Sequence, residues 1–184
     1  MIAGRVPIIG MSTFYISRER CRLPEGLRLV GLLRSMEGRP GSVSLRSARG
    51  FVISTDEGCA GPASEDDVVE VADYDPVRHS CLAIGTNAPS GDTPIHWMAY
   101  RVDELTRAAA FVWNAKRMNG VEYVTQNHPG GSFQEALEIS GLAKRSGRPA
   151  GAEGRGFLLR ARSAEGLMGL LRQLEQTSDS GAGT

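Results

Sequence analysis

Apolar residues along this chain recur with two periods, and the periods sort it into helices and strands. Leu27, Val30 and Leu33 fall at helical spacing ahead of Gly38, which predicts a helix over about 25–36. Ser132 and Glu135 make an S-x-x-E capping box, in which each side chain satisfies the other's orphan N–H. Ala136, Leu137, Ile139, Leu142 and Ala143 follow, and Gly147 and Pro149 end that helix. Ser163 is placed to cap a last helix, with Leu167, Leu170, Leu171 and Leu174 on its buried side. Asp92-Thr93-Pro94 opens a fourth, since a cap residue followed by proline in the first turn is a start signal. Strands are predicted at 51–54, 68–72, 81–85, 108–113 and 156–160. The first residues alternate as a strand does (Val6, Ile8, then Phe14, Ile16), and Pro7 suits a sheet edge. Residues 144–155, rich in Gly, Pro and charge, read as a loop. Strands interleave with helices but also come consecutively in the first half. The prediction is an α/β fold, a sandwich with a central mixed, largely antiparallel sheet flanked by helices.

Composition narrows this further. The chain has 184 residues, 41% hydrophobic and 23% charged, enough for one domain with its own core over 1–176. Residues 177–184 are small and polar and read as a flexible tail. Twenty-one basic and 21 acidic residues balance, and no basic tract stands out, so no nucleic-acid partner is expected. No stretch approaches the roughly 20 apolar residues of a membrane span, and no secretory signal is recognisable, so the expected location is cytoplasmic, with no membrane partner. Cys21, Cys59 and Cys81 are too few and too scattered for a disulfide framework or a zinc knuckle. Cys81 opens an apolar run and reads as core, with His79 near it in sequence. Neither GRPGS nor GAEGRG makes a G-x-G-x-x-G turn between strand and helix, which argues against dinucleotide binding.

The segment with most chemical content is PSGDTPIHWMAYR, residues 89–101. It places the Asp92 carboxylate at the positive end of a helix dipole. Two roles are open from this feature: helix cap, or acid/base group.

That segment resembles the P-S-S-D-T-P-x-H-x-x-x-Y signature of the class II aldolase/adducin family, in its L-ribulose-phosphate 4-epimerase branch. Further pieces align in order. PGSVSLR (40–46) resembles the family's G-N-V-S-x-R turn, and RGFVISTDEG (49–58) its strand and phosphate loop. SEDDVVEVADYD (64–75) resembles its E-D-D strand entry, AAAFVWNA (108–115) the strand ending in the H-x-H metal motif, and GRGFLLRARSAEGL (154–167) its N-H-G ending. The resemblance covers most of residues 27–172.

The departures matter as much. The resemblance implies three metal-binding histidines. At those positions stand Trp113 and Ala115, which have no ligand atom, and Arg155, which stays protonated. No metal and no other cofactor is therefore expected. His79, His96 and His128 do not align with ligand positions, and His96 reads as a hydrogen-bonded structural histidine. In the implied phosphate pocket Ser42 replaces an asparagine, Glu57-Gly58 a Ser-Gly, Gly91 a serine and Thr55 a lysine. A carboxylate at Glu57 opposes phosphate binding.

The resemblance then implies a candidate site: Asp92 and Arg155 as catalytic residues, with Ser44, Arg46, Thr55, Glu57, Ser90 and Trp113 lining the substrate pocket. One reading is a metal-independent enzyme for an acid/base lyase, isomerase or cyclase step on a small, non-phosphorylated metabolite. Asp92 would move the proton and Arg155 would stabilise an oxyanion. The alternative is a non-catalytic assembly domain, as in adducin. Trp113 then fills the vacated metal cavity, and Arg155 pairs with Asp92 or Glu57. The family also implies a homo-oligomer. A shortened 116–131 segment and a missing C-terminal extension argue for an assembly smaller than the family's ring-like tetramer.

Overall fold

The computed structural model describes residues 9–35, 40–56, 58, 62–114, 116–126 and 128–179. Residues 1–8, Glu57, Cys59 and Ala115 fall outside these. Among the described residues nine strands join one sheet. They are β1 (Ser12–Ser17), β2 (Gly41–Arg46), β3 (Phe51–Ser54), β4 (Val68–Asp75), β5 (Ser80–Ile84), β6 (Ala108–Val112), β7 (Glu122–Tyr123), β8 (Ala150–Ala152) and β9 (Gly156–Ala161). Their spatial order is β1-β5-β4-β3-β2-β6-β9-β8-β7. Only β1–β5 and β7–β8 pair in parallel; every other neighbour is antiparallel. The sheet is mixed and largely antiparallel, as the chain's patterning predicts.

Four helices, α1 (Pro24–Ser35), α2 (Thr93–Val102), α3 (Phe133–Ser146) and α4 (Ala164–Asp179), divide between the two faces. Strand alternation decides which side chains meet which helices. Phe51, Ile53, Val69, Val71, Phe111 and Leu158 pack with Ile95, Met98 and Ala99 of α2 and Ala136, Ile139 and Ala143 of α3. Val52, Val68, Ala110, Phe157 and Leu159 pack with Leu29 and Leu33 of α1 and Leu167 and Leu171 of α4. Each large side chain buried this way contributes about 1.5–3 kcal/mol relative to exposure. No helix among the described residues is long and apolar enough to cross a membrane.

Four local readings change. Residues 41–46, expected as a turn, are strand β2, paired on both sides by β3 and β6. Val43 and Leu45 alternate with Ser42, Ser44 and Arg46 as a strand requires, but the resemblance assigned the segment to a turn. Within 144–155, α3 continues to Ser146 and β8 takes 150–152. Ala150-Gly151-Ala152 has no apolar periodicity to betray a strand. Its smallness is the point: a Cβ on Gly151 would lie 2.1 Å from the Gly156 carbonyl oxygen. Only half of the predicted capping box forms. The Ser132 hydroxyl accepts the Glu135 N–H at 3.1 Å, but Glu135 turns its own carboxylate to Gly131 N–H and to Arg155. Helix α4 runs on to Asp179, into the stretch expected as tail. β1 does lie at the sheet edge, with Phe14 and Ile16 exposed. Cys81 is buried against Thr13, while His79 bonds Tyr74, so these two are not joined.

Candidate active site

Helix α2 lies along β2 so that two periods match. Four helical residues advance about 6 Å and two strand residues about 6.6 Å. Asp92, His96 and Tyr100 therefore stay opposite Ser42, Ser44 and Arg46. The Ser42 hydroxyl lies 3.2 Å from Asp92 Oδ2 and 2.8 Å from His96 Nε2. The Ser44 hydroxyl lies 2.7 Å from His96 Nδ1 and 2.8 Å from the Tyr100 hydroxyl. Arg46 donates from Nη2 to the Tyr100 carbonyl, with its guanidinium 5.1 Å from the Tyr100 ring centroid. Ser42, Ser44, Asp92 and His96 are wholly buried. The result is a continuous polar seam under the helix.

Its hydrogen positions follow from chemistry. Arginine and tryptophan only donate, so both Asp92 oxygens accept. Burial pushes the His96 pKa down to about 3, leaving a neutral imidazole with one donor and one acceptor nitrogen. Ser42 donates to Asp92 and so accepts from His96 Nε2–H. His96 Nδ1 then accepts from Ser44, and Ser44 accepts from Tyr100. Burial also raises the Tyr100 pKa, which keeps its proton in place.

At the N-terminal end of α2 the seam closes on a charged cluster. Asp92 is the N-cap residue, yet its side chain makes no cap bond. It turns inward instead. Oδ1 accepts from Arg155 Nη2 at 2.6 Å, and Oδ2 accepts from Trp113 Nε1 at 2.6 Å. Arg155 also donates from Nε to Glu135 Oε1 at 3.0 Å and from Nη2 to Oε2 at 3.3 Å. All three charged side chains are at most 3% exposed. A tight β8–β9 hairpin delivers Arg155 to this place. Gly156 beside it, at φ 143°, approaches β6 so closely that a Cβ would lie 2.1 Å from the Val112 oxygen. One cation facing two carboxylates leaves an excess negative charge, and Glu135 carries the consequence. Burial raises its pKa, and the Arg155 charge does not fully offset this. Burial works to lower the Arg155 pKa, but Asp92 and Glu135 outweigh it and hold the guanidinium charged.

An exposed carboxylate, Asp56, meets the loop before α2. The Ser90 hydroxyl donates to Asp56 Oδ1 at 2.5 Å, and Gly91 N–H donates to the same oxygen at 3.2 Å. Asp92 N–H meets the Ser90 hydroxyl at 3.2 Å, tying this loop to the cluster.

Of the candidate residues, the fold thus brings Asp92, Arg155 and Trp113 into direct contact. Ser44 joins through His96 and Ser42, and Ser90 joins through the Asp92 backbone. Thr55 is engaged elsewhere, with Asp67 at 3.4 Å and Gly58 N–H at 3.1 Å. Arg46 lies at the far end of the seam, not in the cluster. Glu57 is outside the described residues. Sequence reasoning passed over Glu135, which its capping pattern disguised, and Asp56, which lies in a loop. Among the described residues no three His, Cys, Asp or Glu side chains gather as a metal would require.

No family model and no curated protein matches the chain by sequence. Solved structures do match. YgbL from Klebsiella pneumoniae, a candidate aldolase/epimerase/decarboxylase, superposes with a TM-score of 0.64 at 15% identity, covering 84% of this chain and 86% of that one. The aldolase II superfamily protein from Pseudomonas syringae gives 0.63 at 14% identity, covering 90% and 82%. L-fuculose-1-phosphate aldolase from Thermus thermophilus gives 0.57 at 16% identity, covering 86% and 98%. At these identities the likeness speaks for architecture: the chain has the class II aldolase fold.

Proposed function

We propose that this chain is a non-catalytic relative of the class II aldolases, a binding or assembly domain whose own side chains occupy the places of a metal ion and a sugar phosphate. The observation that carries this is the Asp92–Arg155–Glu135 cluster. By the resemblance, Arg155 and Trp113 stand at metal-ligand positions, and both spend their donors on Asp92. These residues do not suit a divalent metal. Trp113 has no lone pair to offer, Arg155 is a cation, and the carboxylates nearby already accept its hydrogen bonds. The guanidinium is the buried cation of this site. In the same way Asp56 takes the Ser90 and Gly91 donors that the resemblance assigns to phosphate. An incoming phosphate would meet a carboxylate there.

A steady-state assay with L-fuculose 1-phosphate, run with and without added zinc or manganese, tests this. The expected result is no turnover in either condition. Metal-dependent aldol cleavage would overturn the proposal.

One observation favours a second reading, a metal-independent acid/base enzyme using Asp92 and Arg155. Trp113 is only partly buried, unlike the other members of the cluster. A swing of its ring would leave Asp92 Oδ2 with only the Ser42 hydroxyl and open it as an acid/base group, with Arg155 beside it as the anion-stabilising charge. Native mass spectrometry of the freshly purified chain separates the two readings. A retained small organic molecule, lost in Trp113→Ala, would favour the enzyme.

A further inference from the structure

At the opposite end of the seam a cavity of about 250 Å³ opens between the β2–β3 turn and the last turns of α2. Arg46, Arg49, Arg101, Trp97, Tyr100 and Asp73 line it. It shares no residue with the Asp92 cluster. Three arginines face one carboxylate here, an excess of positive charge in a concave space.

The arginines are not equivalent. Arg49 is engaged by Glu70 at 3.3 Å, and Glu70 is itself buried. Arg46 and Arg101 have no carboxylate partner among the described residues. Arg46 Nε–H is buried and bonds nothing among those residues. A buried donor left unpaired costs about 1–3 kcal/mol, which a ligand acceptor would return. The Arg101 guanidinium carbon lies 4.6 Å from the Trp97 ring centroid, in cation–π contact. Two planar forks with spare donors suit an oxyanion, which accepts paired N–H bonds from each. Trp97 supplies an apolar wall for a flat body attached to that anion. Asp73, on the exposed side, can accept a hydroxyl or amine proton.

From this we infer that the Arg46–Arg101 cavity is a binding site for a small-molecule oxyanion, a phosphate or carboxylate carried on a flat ring. Recognition is by the unpaired donors of Arg46 and Arg101, with the ring packed against Trp97. The site is coupled to the core, because Tyr100 both lines it and begins the seam that ends at Asp92.

Isothermal titration of the intact chain with phenyl phosphate and with benzoate tests the inference. One saturable site per chain is expected for at least one of them. Arg46→Gln and Arg101→Gln should each weaken it about tenfold or more, the loss of one charge-assisted bond. Arg101 is exposed on α2, so its substitution leaves the fold intact and keeps the test valid if Arg46→Gln misfolds. Phenol, which has the ring without the strong anion, should bind at least about tenfold more weakly. No saturable binding up to about 10 mM of either anion would overturn the inference, as would equal affinity in wild type and Arg101→Gln.

Discussion

The two ends of the α2–β2 seam hold the same kind of group in opposite states. At one end Arg155 is buried between Asp92 and Glu135, and Asp92 also accepts from Trp113 and Ser42. At the other end Arg46 and Arg101 line an open cavity, and a buried Arg46 N–H goes unbonded among the described residues. Both ends hold an arginine beside the same polar seam. What separates them is where the donors go. A guanidinium whose N–H groups are satisfied inside the protein is a structural cation, while one with donors to spare has something to offer a ligand.

The contrast can be broken most forcefully at Arg155. Replacing it by Met leaves two buried carboxylates without their cation, and a loss of about 3–5 kcal/mol is expected in denaturant unfolding. Neutralising the acids as well, in Asp92→Asn/Arg155→Met/Glu135→Gln, should recover most of that loss. If the triple variant is as unstable as the sum of its parts, the three charged groups do not act as one coupled unit. Trp113→Phe removes one donor to a buried carboxylate and should cost about 1.5–3 kcal/mol in the same measurement.

The middle of the seam sharpens the comparison through pH. His96 is held neutral in the folded chain, its pKa down at about 3 from the ordinary 6.5. On acidification the unfolded chain takes up this proton first. Stability present above pH 6.5 is therefore lost as pH falls toward 3, by about 1.4 kcal/mol per pH unit at steepest. Glu135 acts in the opposite sense. Its raised pKa favours the fold below the ordinary 4.5, and that contribution is lost as pH rises through the raised value. Wild type and His96→Gln share Glu135, so the difference between their unfolding curves against pH isolates the histidine. Wild type should lose stability relative to His96→Gln as pH falls from 6.5 toward 3, and a difference that stays constant over that range would show that His96 is not buried neutral. The smallest effect belongs to the open end: Arg101→Gln should move stability by less than about 0.5 kcal/mol, as at other exposed positions.

These two ends were unequally legible in the sequence. The S-G-D-T-P turn and the residues at positions 113 and 155 pointed to one site, and Asp92, Trp113 and Arg155 do meet. Glu135 was visible only as a helix cap, because one carboxylate can serve a backbone N–H and a guanidinium at once. Arg46 was grouped with the pocket because residues 41–46, although Val43 and Leu45 alternate with Ser42, Ser44 and Arg46, were matched to a turn of the family. Once β2 is known, Ser42, Ser44 and Arg46 fall on one face at a spacing of two, facing Asp92, His96 and Tyr100 at a spacing of four. That match of periods is a pattern across two segments, and no window along a single segment contains it. Asp56 was out of reach for the same reason, since its partners Ser90 and Gly91 lie 34 and 35 positions away.

The claim that the chain's own guanidinium stands where a metal would bind is tested most directly by thermal unfolding against added zinc, manganese or magnesium. A ligand that binds only the folded state raises the midpoint with concentration. The account predicts no rise for the native chain. A concentration-dependent rise that disappears in Asp92→Asn would contradict it.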